Sequence, residues 1–482
     1  MSEAAFKLSK TDETQIITDV FRQQLANQFT IGKTSVRERV EKLQRLHDCV
    51  LKYRKEIYAA LWADFQKNET EVDISEIGVV VGEIRHTIQH LASWMAPKEV
   101  RTPIALIGTS SEIIYDSKGV CLLISPWNFP FNLTFGPLAS AIAAGNCVII
   151  KPSELTPHSS ALMGKMIKEC FQPNEVCLFE GDASVAQALL QLPFHHIFFT
   201  GSPAIGKVVM RAAAEHLSSV TLELGGKSPV IVDGSTRLSD TAAQITWLKC
   251  LNTGQICIAP DYVLVHESAK DILVQKMKEK IQTFYGDSPE ARQATKDYPR
   301  MVNDRHFQRV KRLLDQALEM GAELAFGGHT DAADRYIEPT ILCQVPEQAD
   351  IWQEEIFGPV LLVKSYKNLE DVIQEVNSRP RPLSMYLHSS HRKTIDYILQ
   401  STRCGNVTVN DCGLQFYNIN LPFGGVNNSG IGRSHGYAGF LAFSNERAVV
   451  RQNRIWPHTR FFYPPYAKKL TRLMREGIVK WF

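Results

Sequence analysis

The chain has no C-x-x-C pair and no cluster of cysteine and histidine at ligand spacing, which argues against a zinc site. It also lacks an excess of charge of either sign. Lys and Arg total 53 against 51 Asp and Glu, a net charge of +2. That balance predicts no nucleic-acid partner. The N-terminus, Met1-Ser-Glu-Ala-Ala-Phe-Lys7, carries no apolar segment, so no secretory signal is read there. Internal repeats and low-complexity linkers are missing too. One uncharged run, Gly119 to Ile150, is long enough to span a bilayer. Pro126, Pro130, Pro137, Asn128 and Asn132 interrupt it. A lipid-facing helix could not satisfy the backbone and amide groups there. The run therefore reads as strand, loop, helix and strand, buried in protein.

What is present is the composition of an ordinary globular protein, 44% hydrophobic and 22% charged. A length of 482 residues predicts two or three domains. The ten cysteines include Cys121 and Cys147, both inside apolar, strand-like runs. Such cysteines read as reduced core residues and suggest a cytoplasmic protein.

Val36, Val40, Leu43, Leu46, Val50, Ile57 and Leu61 recur at helical spacing, which predicts one long amphipathic helix over 35–65. A second helical pattern runs from Ile74 to about Trp94. Residues 105–118 resemble a hairpin. Short apolar strands then alternate with helices: strands at Val120–Ile124, Val148–Ile150, His196–Phe199, Val220–Leu224 and Val230–Val232. This β-α-β alternation predicts an α/β domain with a mostly parallel sheet. A second α/β stretch covers about 225–410, and the two domains are expected to be interleaved.

Six places carry candidate chemistry. The run Glu223-Leu-Gly-Gly-Lys-Ser-Pro229 puts a carboxylate at a strand end, and Gly254-Gln-Ile-Cys257 puts a thiol in a polar loop. A base and a thiol are what covalent catalysis on a carbonyl requires; the alternative for Cys257 is a buried thiol. Ser125-Pro-Trp-Asn-Phe-Pro130 holds Asn128 between prolines that preset the backbone, as an oxyanion donor needs. The alternative is a structural turn asparagine. Thr200-Gly-Ser-Pro-Ala-Ile-Gly206 lies between strand and helix, where a phosphate could dock on backbone N–H groups. It is not the G-x-G-x-x-G fingerprint, and a plain tight turn fits equally. Lys151 and Glu154, just past a strand, could hold ribose hydroxyls or stand in a solvated loop. Glu355 is a further ribose candidate beside Phe357, or a helix-end charge.

Together with Phe199-Thr-Gly-Ser202, Glu355-Ile-Phe-Gly-Pro-Val360 and Pro422-Phe-Gly-Gly425, these motifs resemble the aldehyde dehydrogenase superfamily, in order and over nearly the whole chain. Cys257-Ile-Ala-Pro-Asp-Tyr262, His306-Phe-Gln-Arg-Val310, Arg335-Tyr-Ile-Glu-Pro-Thr340 and His435 resemble its class 3 and fatty-aldehyde branch. Phe129 departs from that branch, where tyrosine is frequent.

The resemblance implies an α/β fold with a Rossmann-type cofactor domain (1–104 and 119–224) interleaved with a catalytic domain (225–410). Oligomerisation elements would be 105–118 and 411–450, with a tail at 451–482. It implies that Cys257 attacks an aldehyde, that Asn128 and the Cys257 N–H hold the oxyanion, and that hydride transfer leaves a thioester. Glu223 would then activate water. Lys151, Glu154, Gly201, Ser202, Gly225, Glu355, Phe357 and Trp127 would bind the cofactor, with Lys227 and Asn410 in support; no metal is implied. Glu154 favours NAD, and the branch also admits NADP. A homodimer is implied, with contacts at 105–118 and near Val407–Val409.

Residues 467–482 mix basic with apolar side chains. They read as a membrane-surface helix, a lid over a lipid-aldehyde entrance, or a segment packed on a partner subunit. Three functions remain: oxidation of a medium- or long-chain aliphatic or aromatic aldehyde, a CoA-acylating variant of it, and a catalytically silent binding protein.

Overall fold

The computed structural model describes residues 10–106, 108–453 and 463–464. The tail at 467–482 therefore lies outside the described residues.

Two sheets organise the chain. The first has six strands in the order Gly430–Ile431, Ser219–Glu223, His196–Thr200, Val120–Ile124, Cys147–Lys151 and Val176–Leu178. All pairings are parallel except that of Gly430–Ile431. Alternation along its strands explains its burial. Cys121, Leu123, Val148 and Ile150 pack into one core on one face, and Val120, Leu122, Cys147 and Ile149 into another on the opposite face. A parallel sheet covered on both sides needs apolar residues at every position. This is the Rossmann-type arrangement that the β-α-β reading anticipated.

The second sheet has seven strands: Glu323–Phe326, Thr340–Cys343, Val360–Tyr366, Pro260–His266, Ser228–Val232, Ser384–His388 and Asn406–Val409. Only Glu323–Phe326 runs antiparallel. Val263 and Val265 face one core, Tyr262 and Leu264 the other. Each fully buried aliphatic side chain here contributes roughly 1.5–3 kcal/mol. The chain passes from Glu223 in the first sheet to Ser228 in the second, then returns at Gly430 to pair with Glu223. The two sheets are thus interleaved, and their junction falls at Glu223.

The uncharged run Gly119–Ile150 forms a strand, a loop, the helix Asn132–Ala143 and a strand. Among the described residues no helix is long and apolar enough to cross a membrane.

Two expectations need correction. The helix over 35–65 is two helices, Val36–Lys52 and Arg54–Phe65. They part at Tyr53, whose ψ of 11° lies outside the helical range. No glycine or proline marks that break, so spacing alone reads through it. Residues 105–118 are not a hairpin by themselves. Thr109–Ser117 is the centre of a three-stranded antiparallel sheet between Lys98–Val100 and Ser444–Gln452. Of 411–450, only the stretch from Ser444 onward joins that sheet. Gly430–Ile431 belongs to the first sheet, and Gly436–Ala442 is a helix against Asn132–Ala143. The N-terminal helix Lys10–Gly32 went unread because its apolar residues are not confined to one face: Ile17, Val20, Phe21 and Ile31 are buried, while Ile16, Leu25 and Phe29 are exposed.

Candidate active site

Cys257 follows a turn of unusual backbone. Asn252, Thr253 and Gly254 are all left-handed, with φ of 48°, 55° and 72°. A Cβ on Gly254 would collide with the carbonyl of Gly358, so only glycine fits. Hydrogen bonds to Asn252 and Gln255 on either side hold this turn in a conformation that L-residues avoid. Asn252 N donates to Glu71 Oε1 (2.9 Å), and its side-chain Nδ2 donates to Asn128 O (2.9 Å). Gln255 Nε2 donates to Asn252 O (3.0 Å) and Arg300 O (3.1 Å), and Val302 N donates to Gln255 Oε1 (3.0 Å).

Asn128 is buried in the Pro126–Pro130 loop, and its Nδ2 donates to Gln255 O at 3.0 Å. An amide nitrogen carries two hydrogens, and this bond uses one. The amide loop and the thiol loop are therefore bonded to each other directly.

Glu223 ends its strand at the junction of the sheets. Its Oε1 accepts from Ser434 Oγ (3.0 Å), while buried Oε2 has no partner. Burial pushes this carboxyl up to about 8, with the Ser434 bond opposing the shift. A carboxyl so raised can serve as a base near neutral to mildly alkaline pH. Burial, then Glu355, then Glu223 raise the Cys257 thiol well above its ordinary value. The thiol therefore needs a base close by to become a nucleophile.

Cys257 and Glu223 line two spaces at once. One is a cleft of about 890 Å³ that also takes in Trp127, Asn128, Gly201, Ser202, Gly225, Lys227, Glu355 and Phe357. The other is a small cavity of about 40 Å³, walled by Leu133, Phe416, Phe423 and His435 among others. Its lining is mostly apolar, and His435 stacks on Phe423 with ring centroids 5.1 Å apart.

The cleft fits a dinucleotide. Ser202 caps the helix Pro203–His216, whose N-terminus suits a pyrophosphate. Glu355 is a half-buried carboxyl pushed up to about 8, chiefly by its desolvation among the residues around it. It packs so closely on Gly225 that a Cβ there would strike its carboxyl oxygens. Trp127 stands between His306 (4.7 Å) and Phe357 (5.3 Å), forming an aromatic wall. Lys227 Nζ pairs with Asp261 and donates to Ile351 O (2.7 Å) and Glu354 O (2.8 Å), fixing the segment that leads to Glu355.

A thiol, a buried carboxyl and an amide line one large cleft, and the thiol and carboxyl also line the small apolar cavity. The aldehyde dehydrogenase family model matches residues 3–449. The chain belongs to the aldehyde dehydrogenase family. It is similar to aldehyde dehydrogenase family 3 member A2 of Rattus norvegicus, 40% identical over 95% of this chain and 94% of that one. It is likewise similar to the dimeric NADP-preferring aldehyde dehydrogenase of the same species, 40% identical over 92% and 97%. The substrate-bound structure of Staphylococcus aureus AldH superposes with a TM-score of 0.91 at 39% identity, covering 96% of this chain and 99% of that one. This aldehyde dehydrogenase is an aldehyde-acting oxidoreductase of a family that uses NAD(P).

Lys151 and Glu154 follow the strand paired with Val120–Ile124, and Ser125 N donates to Lys151 O (3.0 Å), so they adjoin the Asn128 loop at the same edge of the sheet. Lys151 is buried, donates to Pro152 O (2.6 Å) and lies 3.6 Å from Glu154. Asn410 Oδ1 accepts from Ser389 N (2.9 Å) just past Ser384–His388. Sequence reading missed the contact from Ser434 to Glu223, because 211 residues separate them. It missed Glu71 beneath Asn252 for the same reason.

Proposed function

We propose that the enzyme oxidises medium- or long-chain aliphatic or aromatic aldehydes to carboxylic acids through a thioester on Cys257. The observation that carries the reading is that Cys257 and Glu223 line both a large cleft and a small apolar cavity beside it. The apolar side chains around that cavity would receive the part of the aldehyde next to its carbonyl. The cleft would hold NAD or NADP through Ser202, Gly225, Glu355 and the Trp127–Phe357 wall.

Cys257 passes its proton through water to Glu223, which releases it to solvent; Sγ attacks the aldehyde carbon, and Asn128 Nδ2 with the Cys257 N–H receives the negative oxygen. NAD or NADP, held by Ser202, Gly225 and Glu355, would supply the hydride acceptor that the conversion of this adduct to a thioester requires. Glu223 then takes a proton from water. The hydroxide adds to the thioester carbon, the C–S bond breaks, and the acid leaves with the thiol restored. The unpartnered Oε2 of Glu223 is an open acceptor for that proton.

A CoA-acylating reaction would not need this base, so Glu223 weighs against it. Homodimer formation belongs to the same reading, supported by the three-stranded sheet at the surface. A cytoplasmic location is supported by ten unpaired cysteines. Peripheral membrane contact through 467–482 rests on sequence alone.

The test is turnover with NAD and NADP across aldehydes from acetaldehyde to dodecanal and benzaldehyde, with and without CoA. Acid as product, with kcat/KM rising with chain length, agrees with the proposal. An acyl-CoA product, or preference for acetaldehyde, contradicts it.

A further inference from the structure

Beneath the two loops of the site lies a buried charge cluster with no role in the chemistry above. Lys67 precedes the short helix Glu69–Val72, which carries Glu71, and Glu76 sits in the wide, π-type turn Asp73–Ile77. All three side chains are buried, Lys67 and Glu76 completely. Lys67 Nζ is 3.8 Å from Glu76 Oε1, and neither atom has a hydrogen-bond partner. The ammonium lies over the Phe129 ring at 4.4 Å and the Phe65 ring at 5.2 Å. Burial pushes Glu71 and Glu76 up to about 7 and lowers Lys67.

Such a cluster is expensive. Two carboxyls share one ammonium away from water, and apolar residues of similar size would pack at lower cost. Its hydrogen bonds show what it holds. Glu71 Oε1 accepts from Asn252 N (2.9 Å), the first left-handed residue before Cys257. Glu76 Oε2 accepts from Asn132 N (2.8 Å), at the start of the helix that follows the Asn128 loop. Ser75 O accepts from Asn132 Nδ2 (3.0 Å) on the same side. The Lys67 ammonium sits under Phe129, next to Asn128. One local stretch thus grips the thiol loop through Glu71 and the amide loop through Glu76 and Lys67. π-type turns gather at functional sites, and this one aligns Ser75 and Glu76 on Asn132.

We propose that Lys67, Glu71 and Glu76 are positioning residues that fix the Asn128 loop against the Cys257 loop, so that donor and thiol meet one carbonyl. The proposal rests on the roles given to Asn128 and Cys257 above. A misplacement of about 1 Å at a reacting centre can cost roughly 100-fold in rate.

Glu71→Ala, Glu71→Gln and Lys67→Met are the variants to compare. Gln keeps an acceptor for Asn252 N, and Met keeps the volume of lysine. Three readouts serve: kcat, KM for the cofactor, and the rate of Cys257 alkylation by iodoacetamide, with Cys257→Ala as the blank. Glu71→Ala is expected to lower kcat and Cys257 alkylation at least 10-fold, with cofactor KM within about twofold. Glu71→Gln should recover both to within about threefold, and Lys67→Met should fall between. Equal kcat in Glu71→Ala and wild type overturns the proposal. So does a Gln variant no better than Ala. Should Glu71→Ala not fold, Lys67→Met decides: wild-type kcat and alkylation in that variant overturn the proposal. Asn128→Ala separates the two layers. Unchanged kcat there removes the oxyanion role, while the alkylation readout still judges the clamp on the Cys257 loop.

Discussion

Ser434 donates its hydroxyl to Oε1 of Glu223 at 3.0 Å and leaves Oε2 without a partner. This single bond opposes the burial that raises the carboxyl to about 8. It comes from the segment that re-enters the first sheet at Gly430, so the return of the chain helps set the basicity of the site.

Ser434→Ala should therefore push Glu223 higher. The base acts when deprotonated, so activity rises with pH through its pKa. The acidic limb of the kcat profile is expected to move to higher pH in the variant, with kcat at alkaline pH little changed. A kcat profile between pH 6 and 10 measures it, and a limb that stays or moves downward contradicts the assignment.

The same carboxyl should couple stability to pH. Its folded pKa, about 8, exceeds the ordinary 4.5. Between those values the folded state holds a proton that the unfolded state releases, so stability falls as pH rises. Glu223→Gln should thus melt higher than wild type at pH 9, and the gap should close toward pH 5. Scanning calorimetry at both values provides the check. A gap that widens toward acid would reverse the sign.

Asn128→Ala should lower kcat by roughly 10²–10³-fold, the effect of losing one oxyanion donor. Alkylation of Cys257 should stay close to wild type, because the thiol and Glu223 remain. Steady-state kinetics and iodoacetamide rates distinguish this from a general collapse of the site, which would lower both.

Much of this site is legible in the sequence because its parts sit at strand ends. Glu223 closes an apolar strand, Cys257 follows a Gly-containing loop, and Asn128 is held between prolines; the alternation of strands and helices orders them. What stays hidden is contact over distance. Nothing local joins Ser434 to Glu223, or Glu71 to Asn252, and Lys67 reads as an ordinary surface lysine until the fold closes over it. The break at Tyr53 is hidden for a different reason: apolar spacing survives a change in one residue's ψ.

Glu355→Ala should weaken cofactor binding by roughly 10-fold or more, the scale of a hydrogen bond to a charged group. Trp127 lines the cleft beside Phe357, so quenching of its fluorescence on titration with NAD reports binding without turnover. Affinity equal to wild type would remove Glu355 from the cofactor site.

The central claim is a thioester on Cys257 that Glu223 clears. The most direct measurement is mass spectrometry of Glu223→Gln mixed with a long-chain aldehyde and NAD. The account requires an acyl mass on the peptide containing Cys257, with release slowed relative to wild type. An unmodified Cys257 alongside reduced cofactor, or turnover that persists in Cys257→Ala, would contradict it.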